Sequence, residues 1–164
     1  MSGRLVFIVV AAIANVGLGA FIWLKSSRNA INRYFALFSF AVAAWTVSNG
    51  LVSSYADSPW GYVWARLAFA SASLIPITFL WFAHVFPTTQ SNASHRFLIG
   101  LSAVAALSFL VSFTPLMVRG TALITQTLQV NYGPLHLPFG IYLVCCFGAS
   151  LVILLRKLGR LTGL

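Results

Sequence analysis

Negative charge is almost missing from this chain. Asp57 is the single acid among 164 residues, set against ten Lys and Arg, for a formal net charge of +9. Charged residues of either sign make up only 7%, where soluble domains carry about 25%. A surface so poor in charge cannot cover a globule in water, and with 60% hydrophobic residues the expected solvent is lipid. None of the long apolar stretches contains an Asp or Glu. That argues against a proton-coupled transporter, whose relays use intramembrane acids and histidines. Thiols are equally scarce. Cys145 and Cys146 are adjacent, which excludes a disulfide framework and the C-x-x-C spacing of metal sites.

Other absences narrow the chemistry. His84 and His136 fall near opposite ends of their apolar runs, so at 1.5 Å per helical residue they stand about 30 Å apart in depth. They cannot share a haem or a metal ion, and no cofactor is expected. Gly148-Ala149-Ser150 resembles the serine motif of rhomboid intramembrane proteases. No His follows it, so the general base is missing, and Ser150 reads as a small packing residue. No glycine-rich loop leads into a helix with Lys and Ser or Thr, so ATP has no phosphate cradle. Nucleic acid is excluded as a partner, because the basic residues sit between apolar runs instead of along one stripe. The chain is expected to be non-catalytic.

Five apolar runs remain, at residues 5–24, 34–55, 62–86, 97–116 and 134–155. Each is near the roughly 20 residues a helix needs to cross the hydrocarbon core, and helices satisfy their own backbone there. The expected fold is an all-α, polytopic membrane helix bundle of about five transmembrane helices in one domain. The connections fit it. Residues 25–33 are polar and basic; 56–61, with Asp57, Ser58 and Pro59, read as a tight turn; and 87–96 reads as a loop. Within the long connection 117–133, the residues Thr127-Leu128-Gln129-Val130-Asn131-Tyr132 alternate polar and apolar, a strand signature. A short external hairpin and an irregular loop are both compatible with that.

Flanking charge sets the orientation. Lys25, Arg28 and Arg33 lie between the first two runs, Arg96 between the third and fourth, and Arg156, Lys157 and Arg160 beyond the fifth. The other side holds Arg4, Arg119 and Asp57. The expectation is a multi-pass inner-membrane protein with its amino terminus outside and its carboxyl terminus in the cytoplasm. Arg4 precedes the first run as in a signal peptide, but the run exceeds the usual 7–15 residue signal core, so it reads as a retained anchor.

Candidate binding residues come from polar groups inside the runs. Counted from the span ends, Asn15, Asn49, Ser71, Ser108 and Tyr142 fall at one depth, about 9–15 Å below the outer surface. In lipid such groups turn toward one another or toward a cavity. They are either interhelical glue or the lining of a small ligand pocket entered from outside. Arg66, about one turn into the third run, either snorkels to lipid phosphates or presents a cation to a ligand. Ala11, Asn15 and Gly19 on the first helix, and Ala41, Trp45, Asn49 and Ser53 on the second, recur every fourth residue and are expected at close helix contacts. Pro76 should kink the third span and free a carbonyl one turn earlier.

A family resemblance adds to this. The stretch from Arg66-Leu67-Ala68 through Leu74-Ile75-Pro76 to Phe79-Leu80-Trp81-Phe82-Ala83 resembles the third helix of the seven-transmembrane amino-terminal region of bacterial histidine kinases. Asn32-Arg33-Tyr34-Phe35-Ala36-Leu37 with Trp45, then Asn131-Tyr132-Gly133-Pro134-Leu135, then Tyr142 with Leu155-Arg156-Lys157-Leu158 are similar to it in order. The resemblance covers nearly the whole chain. It implies a membrane-embedded signal-sensing module whose partners are the bilayer, a cytoplasmic kinase or cyclase output domain, or a homodimer partner. The family would supply two more helices and an output domain after the fifth span, so the chain is expected to be a fragment of a receptor or a reduced stand-alone form. The alternative is a structural accessory subunit of a larger membrane complex.

Overall fold

The computed structural model describes residues 3–56, 58–87, 95–124 and 127–162. They form five helices and one hairpin: α1 (Gly3–Lys25), α2 (Ala30–Ser54), α3 (Pro59–Val85), α4 (His95–Val111), β1 (Val118–Ile124), β2 (Thr127–Tyr132) and α5 (His136–Thr162). The all-α polytopic bundle expected from composition is the fold found. Four helices, α1, α2, α3 and α5, are long and apolar enough to cross a membrane. Asp57 and most of the 87–96 connection lie outside the described residues.

The helix ends follow local chemistry. Asn29 caps α2, its side-chain oxygen accepting the Ile31 N–H at 2.9 Å, which satisfies one of the orphan donors of a helix start. Pro59 opens α3 at the first helical position, where its missing N–H costs nothing. The run 97–116 stays apolar past the end of α4 at Val111, but Pro115 disfavours a helical residue before it, and the Thr114 hydroxyl donates to Val111 O at 2.7 Å. With 17 residues, α4 is about 25 Å long. At the other extreme, α5 continues through Arg156 and Lys157 to Thr162, because both are good helix formers and no proline intervenes.

Neighbouring helices run antiparallel along the chain. Between α2 and α3 a ladder of rings fixes the register: Tyr34 stacks on Trp81 at 5.3 Å, Phe35 meets Phe82 edge-on at 5.6 Å, and Phe38 meets Phe79 at 5.4 Å. Small residues let backbones approach in lipid, and α1 packs on α2 that way. A Cβ added at Gly19 would lie 2.8 Å from the Phe40 ring, and one at Gly50 would lie 2.8 Å from Ile8. The buried stripe of α1 therefore runs through Ala12 and Gly19, while Ala11 is exposed. On α2, Ala41 is buried as its spacing suggests, whereas Trp45 and Asn49 are exposed.

At the centre stands α3, touching α2, α4, α5 and β1. Leu80, Leu98, Met117, Val118 and Cys146, all 2% exposed or less, fill the space between it, α4, α5 and the hairpin. The Trp81 indole donates to Ser102 Oγ on α4 at 3.0 Å. Apolar side chains on the outer faces, such as Phe7 and Leu24 of α1, are largely exposed, as a lipid-facing surface requires.

The long connection is a hairpin. β1 and β2 pair antiparallel from Ile124↔Thr127 to Val118↔Tyr132, with a bulge that leaves Arg119 as the extra residue. The sequence alternation over Thr127–Tyr132 matches β2. The base of the hairpin is closed by the residues just before β1: Gly133 N donates to Met117 O at 2.8 Å and Leu135 N to Leu116 O at 3.1 Å.

Candidate functional site

Side chains one residue apart on a strand point to opposite faces, so Val130 and Tyr132 share one face of β2. Both line a cleft of about 370 Å³. Its walls are Trp45, Thr46 and Asn49 of α2, Ala65, Ala68 and Phe69 of α3, and Ile8 of α1. Tyr132 is held in place from two sides: it stacks on His136 at 4.1 Å and meets Phe69 edge-on at 6.0 Å, and Phe69 in turn contacts Phe139 at 5.5 Å. The roof of the cleft is thus tied to the first turn of α5.

A second, smaller cleft of about 190 Å³ opens between α4 and α5. Val104, Leu107 and Ser108 line one side, and Pro138, Phe139 and Tyr142 the other. Tyr142 also reaches through the core. Its hydroxyl donates to Ser73 O of α3 at 2.8 Å. Pro76 lies one turn further along α3 and has no N–H to offer Ala72 O, so this is the stretch of α3 where backbone carbonyls need an outside donor.

The six polar residues singled out from the sequence are distributed, not gathered. Asn49 lines the larger cleft, and Ser108 and Tyr142 the smaller one. Asn15 donates to Ala11 O at 2.8 Å and Ser71 to Leu67 O at 2.8 Å, each within its own helix. Arg66 is half-buried; its Nη2 donates to the Tyr62 hydroxyl and its guanidinium carbon lies 3.9 Å from the Tyr62 ring centroid. Its Nε is buried with no hydrogen-bond partner among the described residues. Phe69, Tyr132 and His136, which shape the larger cleft, are not among the binding residues that the sequence suggests. The alternation of β2 was the signal that could have found Tyr132.

At the opposite end of α3, Lys157 of α5 donates to Ala83 O at 3.1 Å and to Phe86 O at 2.8 Å, and also to His84 O. An ammonium there satisfies terminal carbonyls and complements the negative end of the helix dipole. Because α5 starts beside Phe69 and its Lys157 meets the carboxyl end of α3, α3 and α5 lie parallel, in contact at Phe69, at Tyr142 and at Lys157.

Tyr142→Phe tests the middle joint. Removing the hydroxyl leaves the Ser73 carbonyl without that donor, and the reconstituted protein should lose about 1–2 kcal/mol of stability, read as a lower thermal unfolding midpoint. An unchanged midpoint would show that the carbonyl finds another partner.

A comparison with protein families finds a match between residues 7–164 and the model described as the N-terminal 7TM region of histidine kinase. No curated protein matches the chain, and no solved structure does.

Proposed function

We propose that this chain, which belongs to the family of amino-terminal seven-transmembrane regions of histidine kinases, is the signal-receiving part of a relay and performs no chemistry itself. The family match over residues 7–164 carries the reading. A signal meets the bundle from outside, beneath the hairpin, and leaves through the basic end of α5 toward a kinase or cyclase domain in the cytoplasm. Support comes from the paired helices: the larger cleft touches α3 at Ala65, Ala68 and Phe69, and α5 is fastened to α3 as far as Lys157. A change of shape at the cleft has a packed route to the far end. The orientation follows from Lys25, Arg28, Arg33, Arg156 and Lys157, which favour the cytoplasmic side.

Orientation is also the test. Paired reporters, one active only in the cytoplasm and one only outside, fused after Arg28, Asn131 and Arg156, should read cytoplasmic, external and cytoplasmic. An external reading after Arg156 would sink the proposal, since an output domain there could not reach its cytoplasmic substrates.

A further inference from the structure

Asn49 differs from most polar side chains in the spans. Hydroxyls at Ser39, Thr46, Ser71, Thr78 and Ser150 donate to backbone carbonyls of their own helices, and Asn15 does the same with its amide. Asn49 is exposed into the larger cleft, and its amide forms no hydrogen bond with a described residue. It lies five residues before the end of α2 at Ser54, about 8 Å below the helix end. At that depth water is thinning, and an amide with two donors and an acceptor is costly to leave unpaired. Any occupant that supplies a matching donor and acceptor gains more here than it would in water.

The surroundings specify the rest of the occupant. Trp45, Phe69 and Tyr132 give the cleft three aromatic walls, suited to a flat apolar body. Among the described side chains no Lys, Arg, Asp or Glu lines it, and half-buried Arg66 directs its Nη2 to the Tyr62 hydroxyl. An ion entering this cleft would lose hydration without gaining a counter-charge. The volume of about 370 Å³ lies at the low end of the ligand-pocket range of about 300–1,000 Å³, which fits a small molecule and not a peptide.

We propose that this cleft binds an uncharged small molecule with a flat aromatic body and one amide-like head group, the head group pairing with the Asn49 side chain and the body lying against Trp45, Phe69 and Tyr132. This rests on the reading of the chain as a signal receiver and names the class of signal. A lipid acyl chain, the other apolar occupant within reach, would make no use of the amide.

The full chain in phosphatidylcholine nanodiscs, titrated with 2-naphthamide, tests this. Naphthalene, 2-naphthoate and 2-naphthylmethylammonium serve as matched probes lacking the head group or carrying charge. Tryptophan fluorescence and the thermal midpoint report binding. Saturable binding of the amide should be at least tenfold tighter than that of the other three. Asn49→Leu should remove that advantage, and Asn15→Leu should keep it. Tyr132→Ala, which alters an exposed hairpin residue and leaves α2 intact, should weaken the amide at least fivefold and covers the case in which Asn49→Leu fails to fold. Equal binding of naphthalene and the amide, or an amide affinity unchanged by Asn49→Leu, overturns the proposal. So does the absence of saturable binding. The reporter fusions read the receiver orientation independently, so an empty cleft with a cytoplasmic α5 end would refute the ligand class alone.

Discussion

Gly133→Ala should be among the most damaging single-methyl additions in the molecule. A Cβ at this position would sit 2.0 Å from Leu116 O and 2.3 Å from its carbonyl carbon. Both are backbone atoms, which cannot rotate away as a side chain can. Gly133 N also donates to Met117 O, so the two strands of the connection cannot part without giving up that bond. The expected loss is at the upper end of the about 1–3 kcal/mol typical of overpacking, with a matching fall in thermal midpoint and faster proteolysis within the hairpin. Gly120→Ala is the control. It lies on the same hairpin with open space where the methyl would go, and its stability should stay within about 0.5 kcal/mol of the parent. If both variants unfolded at the parent temperature, the close approach of Gly133 to Leu116 would be refuted.

Lys157→Met is the second. It preserves the length and apolar stem of the side chain and removes the donor that meets the carbonyls of Ala83, His84 and Phe86. Hydrogen bonds to charged groups contribute about 1.5–3 kcal/mol, and a cation at a helix carboxyl end up to about 2 kcal/mol. Since these overlap, a loss of about 2–3 kcal/mol is expected. Lys157→Arg should restore part of it, and Arg156→Met, on an exposed residue one position earlier, should cost little. A pair of spin labels near the carboxyl ends of α3 and α5 gives a second measurement. Their distance distribution should broaden in Lys157→Met and remain narrow in Arg156→Met. A narrow distribution in both would mean that packing alone holds these two ends together.

Much of the architecture is legible in the sequence. Hydropathy locates the helices because lipid imposes a length on every crossing, and the period-two pattern in Thr127–Tyr132 matches β2, although by sequence an irregular loop fits that segment equally. Hydropathy was blind to where apolar residues stop being helical. Phe113 and Leu116 read like more of α4, and only Pro115 and the capping hydroxyl of Thr114 mark the turn. The candidate site was harder to read. Depth can be counted along a helix, but direction around it depends on which neighbours it packs against. Asn15 and Asn49 were placed at one depth, yet Asn15 bonds to its own helix while Asn49 lines the larger cleft. Lys157 was visible as a topological charge. Its contact with residues more than 70 positions away depends on α3 and α5 lying parallel, which no local pattern encodes.

The self-satisfied hydroxyls of the spans have a consequence for how the molecule is made. A helix whose Ser and Thr side chains bond to its own carbonyls can leave the insertion machinery and rest in lipid before its neighbours exist. The joints described between helices, at Trp81, Tyr142 and Lys157, all end on α3. Among the described residues α1 and α2 meet through Gly19, Phe40, Gly50 and Ile8, a match of shape that does not wait for a polar partner. Among the described helices, the polar joints therefore wait on α3, whose Ser73 O and last carbonyls meet their donors on α5 only once both helices are in the bilayer.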